Sequence, residues 1–135
     1  MSAVTRPPNR LLQALPSAEY AQLHPLLETV ELTKETALAD AGAPVQRVYF
    51  PHAGVVSMMV NLSDGQSVEI ATIGRDGIVG ASAALHERPP LADAIVVVPG
   101  TASVMRAEDF REAANRSAEF RTLVALYEQA MMAQT

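Results

Sequence analysis

The chain has 135 residues, 49% hydrophobic and 19% charged, with fifteen acidic residues against ten basic ones and a net charge of −5. That length suits one folded domain burying roughly two-thirds of its unfolded surface, and the composition excludes a disordered chain. Cysteine is absent, which excludes disulfides, thiolate zinc sites, cysteine-ligated clusters and cysteine nucleophiles, and the acidic balance argues against a nucleic-acid surface.

The opening "MSAVTRPPNR" is polar and lacks the apolar segment of a signal peptide. No apolar run approaches the ~20 residues that cross a bilayer. The expectation is a cytoplasmic protein with no membrane contact. "NRLLQALPSAEYAQLHPLL" then reads as helical. Asn9 is a plausible N-cap, and Leu11, Leu12 and Leu15 lie on one short inward face. Pro16 interrupts, Ser17 is expected to cap a second helix carrying Tyr20, Leu23, Leu26 and Leu27, and Pro25 weakens or kinks it.

From Val30 to Met105 the pattern turns to short apolar pieces punctuated by turn residues. In "VVSMMVNLSDGQSVEIATIG" two partly β-branched runs flank Asp64–Gly65, the signal of a tight hairpin. Alternation predicts Val68, Ile70 and Thr72 on one face and Glu69 on the other. "AIVVVPG" and "TASVMRA" read as two more strands joined at Pro99–Gly100. Such short, closely spaced strands suggest a sandwich, jelly roll or barrel.

The last thirty residues return to helical spacing. Glu108, Asp109 and Glu112 suit a helix start. Ser117 can cap the next helix, in which Phe120, Leu123, Val124, Tyr127 and Met131 form an apolar stripe. No glycine or proline closes that helix, so its expected reading is a longer helix cut short. Arg106, Arg111, Arg116 and Arg121 recur every five residues. Taken as one helix they scatter around its axis among acids, so a solvated surface is expected and this chain alone is not expected to bind DNA.

Several candidate chemistries fail on the residues. "GASAA" places Gly80 and Ser82 as in a G-x-S-x-G elbow, but Ala84 stands where the second glycine belongs, and the elbow needs a large parallel sheet. His24, His52 and His86 are isolated, with no metal-ligand spacing, so no metal and no cofactor are expected. Asp64 and Asp76 sit beside glycines, where aspartate makes local turn bonds. An outward-facing strand position accounts for Glu69. No acid, base, nucleophile and metal converge, so no enzyme is expected. "IGRDGIVGASAAL", with Gly74, Gly77 and Gly80, matches neither G-x-G-x-x-G nor the P-loop pattern and reads as a tight connection.

Together "NRLLQALP", "ETALADAGAPVQRVYFPHAGVVSMMV", "DGQSVEIATIGRDGIVGASAAL" and "EFRTLVALYEQAMMAQ" resemble, in order and spacing, the effector domain of the Crp–Fnr superfamily of bacterial transcription regulators. That superfamily is a branch of the cyclic nucleotide-binding domain family. The resemblance implies one domain over residues 1–135: N-terminal helices at 9–28, a β-roll of jelly-roll type at 30–106 and C-terminal helices at 107–135. It also implies a homodimer built on the last helix, whose stripe of Phe120, Leu123, Val124, Tyr127 and Met131 is expected to pack across the dimer axis or onto the roll. The helix-turn-helix domain that contacts DNA in such regulators is not within these residues.

In ligand-binding members of the family, a phosphate cassette opens with Gly-Glu and closes with Arg-Ser/Thr-Ala. The resemblance places its remnant at Gly80, Ala81, Ser82, Ala92, Asp93 and Ala94. Ala81 stands at the glutamate, Ala92 at the arginine, Asp93 at the hydroxyl position and Ala94 at the alanine; a one-residue shift puts Leu91 at the arginine instead. Arg88, between the two halves, is the candidate substitute, although a surface-loop arginine is the simpler reading. Arg75 is expected in a turn beside Asp76. A buried phosphate needs a fixed guanidinium. The expected function is therefore a ligand-sensing and dimerising effector domain with weak or no cyclic-nucleotide binding, its small-molecule effector unknown. The alternative is a ligand-free dimerisation scaffold.

Overall fold

The computed structural model describes residues 6–134; the polar stretch at residues 1–5 and the end of the chain at Thr135 lie outside the described residues. Asn9 begins the first helix, α1 (Arg10–Ala14), by accepting from the amides of Leu11 and Leu12. Its amide nitrogen donates to the carbonyls of Pro51 and Gly77, both at 2.9 Å. This fully buried side chain therefore joins the first helix to two distant segments. In α2 (Ser17–Leu23), Pro16 occupies the N-cap position and Ser17 is already helical, which corrects the expected serine cap. Pro25 ends α2, and a single 3₁₀ turn follows at His24–Leu26.

Among the described residues seven strands follow: β1 (Glu28–Leu32), β2 (Ala37–Ala39), β3 (Arg47–Pro51), β4 (Val55–Asn61), β5 (Ser67–Ile73), β6 (Asp93–Val98) and β7 (Gly100–Arg106). They form two antiparallel sheets, one ordered β1-β7-β3 and the other β2-β6-β4-β5. The roll begins at Glu28, two residues before the expected Val30. Helix α3 (Ala81–His86) lies between β5 and β6, and α4 (Ala107–Arg116) and α5 (Ala118–Gln134) follow β7.

The hairpin joining β4 to β5 turns at Asp64–Gly65. Gly65 has φ +88°, and Asp64 accepts from the Gln66 amide at 3.0 Å. The predicted face of Val68, Ile70 and Thr72 does not hold. Met58 pairs with Ala71 and Met59 with Glu69, so Ile70 is an extra residue in β5 that breaks the alternation. At the β6–β7 turn, a Cβ on Gly100 would overlap the Ala53 carbonyl at 2.1 Å. Only glycine lets these two backbones pass.

Two cores result. Between the sheets lie Leu32 and Ala102 from one side and Val56, Ile73, Ala94 and Val96 from the other, with Tyr49, Met58 and Met131 packed against them. On the outer face of the three-stranded sheet, Val48, Phe50 and Met105 meet Leu12, Tyr20 and Leu23 from the first two helices. Ala81, Ala84, Phe110, Phe120 and Val124 from the later helices complete this cluster. Phe110 meets Phe120 edge-on at 5.4 Å between ring centroids. Ser117 caps α5 by accepting from the Phe120 amide, which sets the angle between α4 and α5.

Candidate functional site

The glycine loop leaves β5 at Ile73 and ends at Gly80, the N-cap of α3. Gly80 has φ +91°, and a Cβ there would stand 3.2 Å from both the Arg47 carbonyl and Val45. Glycine is required for conformation and for space. Just before it, Tyr49 and Val79 exchange two backbone hydrogen bonds of 3.0 and 2.8 Å. These clip the loop to the middle of β3.

Of the expected cassette residues, Gly80, Ala81 and Ser82 open α3. Ala81 is buried toward the helical core, while Ser82 is exposed. Ala92 is buried, and Ala94 is buried in the core between the sheets. Asp93 is committed elsewhere. One of its oxygens accepts from the Ala41 amide at 2.7 Å and the other from the Asn61 side chain at 3.0 Å, so it braces the β2–β3 connection against the end of β4. Arg88 is exposed in the loop after α3. Arg75 lies in the turn with Asp76, whose carboxylate pairs with Arg10 at 2.9 Å. The structure thus brings Gly80, Ala81 and Ser82 together at the start of α3, while Arg88, the one arginine of the 88–94 segment, is exposed.

The space between the sheets is apolar. The buried polar side chains among the described residues are Asn9, Ser57, Ser103 and Ser117, and no charged side chain is buried. Glu69 keeps an exposed position and accepts from Ser57 Oγ at 2.5 Å. A cyclic phosphate placed inside would therefore meet no buried cation, and desolvating an unpaired phosphate is costly.

The last helix closes over this region. Tyr127 Oη donates to the Ile78 carbonyl at 3.0 Å, and burial raises the phenol above its usual pKa of 10.0. His86, which ends α3, sits 3.4 Å from Glu128. Met131 packs on the inter-sheet core. Of the expected dimer stripe, Phe120 and Val124 are buried in the chain's own core, and Leu123 and Tyr127 are half-buried against it. The stripe therefore covers its own roll, and beside it Leu126 is exposed, lining a cleft with Leu123 and Leu15.

His52 makes the one close histidine–serine pair among the described residues, Nε2 to Ser103 Oγ at 2.6 Å, with Nδ1 3.2 Å from Thr101 Oγ1. Burial lowers its pKa from the usual 6.5. Ser103 is buried in β7 and no carboxylate orients the ring, so the contact satisfies a core hydroxyl. Among the described residues no group of three or more histidine, aspartate or glutamate side chains is placed to hold a metal ion, and no helix is long and apolar enough to cross a membrane.

The sequence profile of the cyclic nucleotide-binding domain matches residues 29–117. No match is found among curated protein sequences. The fold is similar to that of a regulatory subunit of a cAMP-independent protein kinase A from Trypanosoma brucei, a triple mutant bound to cAMP in its A site. That similarity has TM-score 0.74 and 16% identity, over 90% of this chain and 43% of that one. It is similar also to the N-terminal domain of a transcriptional regulator from Streptomyces coelicolor A3(2), with TM-score 0.68 and 21% identity, over 93% of this chain and 88% of that one. The catabolite activator protein of Thermus thermophilus gives TM-score 0.70 and 21% identity over 92% of this chain. The chain spans 56% of that protein's length.

Proposed function

The chain belongs to the cyclic nucleotide-binding domain family, and on that premise we propose that it is the sensing and dimerising effector module of a Crp–Fnr-type transcription regulator whose phosphate clamp has been lost. The observation that carries this reading is the contact between α5 and the cassette. Tyr127 bonds to the residue after Gly77, Glu128 meets the end of α3, and Met131 reaches the inter-sheet core. A ligand that rearranged the loop or the interior would change the seat of α5, and the helix would report it by a population shift.

The identity of the ligand follows from what the interior lacks. With alanines at positions 81 and 92 and no buried cation, a cyclic nucleotide is bound weakly or not at all. The effector is then a small molecule less dependent on charge pairing. Dimerisation falls to the outward side of α5. Leu126 is 58% exposed there. DNA contact belongs to a helix-turn-helix domain not present in these residues. No enzymatic activity is assigned.

The apolar space between the sheets, with no buried charged side chain, favours a second reading, a ligand-free scaffold whose only task is dimerisation. A thermal-shift screen against nucleosides, nucleotides and metabolites separates the two. A specific ligand raises the melting temperature by linkage, and the scaffold reading predicts no such ligand. Light scattering tests both, since each requires a dimer.

A further inference from the structure

The arginines that look scattered along one helix in the sequence are not on one helix. Arg106 ends β7, Arg111 lies in α4, and Ser117 breaks the chain before Arg121. Arg106 is the direct cross-strand partner of Arg47 in the antiparallel pairing of β3 with β7. Like charges placed opposite each other in a sheet destabilise it. Both side chains line a cleft of about 450 Å³, as does Arg111.

The compensation is incomplete. Glu108 is the one acid lining the cleft, and it pairs with Arg106 at 3.0 Å. Arg111 donates to the Ala84 carbonyl at 2.8 Å, with Glu87 at 3.7 Å. The Arg47 guanidinium makes no hydrogen bond or ion pair among the described residues. Three cations and one anion leave this lining at +2 (3 − 1) on a chain of net charge −5. A concave site with a net positive lining attracts an incoming anion.

We propose that this cleft is an anion site, separate from the space between the sheets, that takes a small metabolite bearing phosphoryl groups. The planar guanidinium fork matches phosphate oxygens, and two facing arginines can hold one phosphoryl group from both sides. The cavity falls within the range of small-molecule sites. A nucleic acid would instead call for an extended basic stripe, whereas these arginines converge on one concavity within an acidic chain. Arg111 gives the site a connection to α3, because a ligand that draws it away competes with its bond to Ala84.

Pyrophosphate is the probe, titrated calorimetrically into the whole chain at low ionic strength, with sodium chloride at matched ionic strength as the control. Saturable binding is expected. Arg47→Gln and Arg106→Gln are each expected to weaken it by about tenfold or more, and Arg116→Gln, which removes the same charge from a residue outside the cleft lining, by less than about twofold. Without pyrophosphate, Arg47→Gln is expected to melt no lower than the wild type, since it removes a repulsion. Binding indistinguishable from the salt control would overturn the proposal, as would equal weakening by all three variants.

Discussion

The phenolic hydroxyl of Tyr127 donates to the carbonyl of Ile78 at 3.0 Å, fastening the last helix to the loop that leads into α3. The two residues are 49 positions apart, and the bond makes the seat of α5 depend on the conformation of the glycine loop. Tyr127→Phe keeps the ring and removes the donor. It is expected to lower the unfolding free energy by about 1 kcal/mol, read from urea denaturation. An unchanged midpoint would mean that the bond contributes nothing to holding the helix.

Gly77 is the other half of that contact. A Cβ there would stand 2.7 Å from Tyr127 Oη and 2.8 Å from Ile73 Cγ2. Gly77→Ala must push α5 outward or distort Ile73. It is expected to cost about 1–3 kcal/mol, as overpacking does. Combining it with Tyr127→Phe should cost less than the sum of the two changes, because the hydroxyl is one of the atoms in the way; strict additivity would argue against the contact.

Asn9 links the first helix to the same loop. Asn9→Ala removes the cap and leaves the buried carbonyls of Pro51 and Gly77 without their donor. A loss of about 2–4 kcal/mol is expected from the cap and the unpaired groups together. Asn9→Asp keeps the capping oxygen and still fails at the two carbonyls, so it should recover less stability than a cap-only role would allow. Thermal melts of the two variants decide between the roles.

His52 makes stability depend on pH. Burial lowers its folded pKa below 6.5, so the unfolded chain binds the proton more readily than the folded one. Its contribution is complete above the unfolded value and is lost as pH falls through the folded one. The wild-type melting temperature should therefore fall further than that of His52→Gln on acidification from about pH 8 to pH 5, a range that spans the ordinary histidine pKa. Parallel curves would assign the acid sensitivity to other groups.

The features legible in the sequence are those with local causes. Asp64–Gly65 marks its hairpin because the turn needs a positive φ, and Ser117 marks its cap because the bonded amide is three residues away. Asn9 was legible as a cap, but its bonds to residues 42 and 68 positions distant depend on tertiary contacts no local pattern encodes. The extra residue at Ile70 was hidden for a related reason, since alternation within one strand says nothing of the partner's register. The Arg47–Arg106 pair escaped because the regular five-residue spacing suggested one helix, while the fold places Arg106 on a strand. At the cassette, the family resemblance implied alanines at the clamp positions, but nothing in the sequence implied that Asp93 would turn to Ala41 and Asn61.

The proposed loss of the phosphate clamp is tested most directly by calorimetric titration of cyclic AMP, and separately of cyclic GMP, into the folded chain. No saturable binding is expected at ligand concentrations up to about 1 mM, which corresponds to about −4 kcal/mol of binding free energy. Stoichiometric, saturable uptake of either nucleotide in the micromolar range would contradict it.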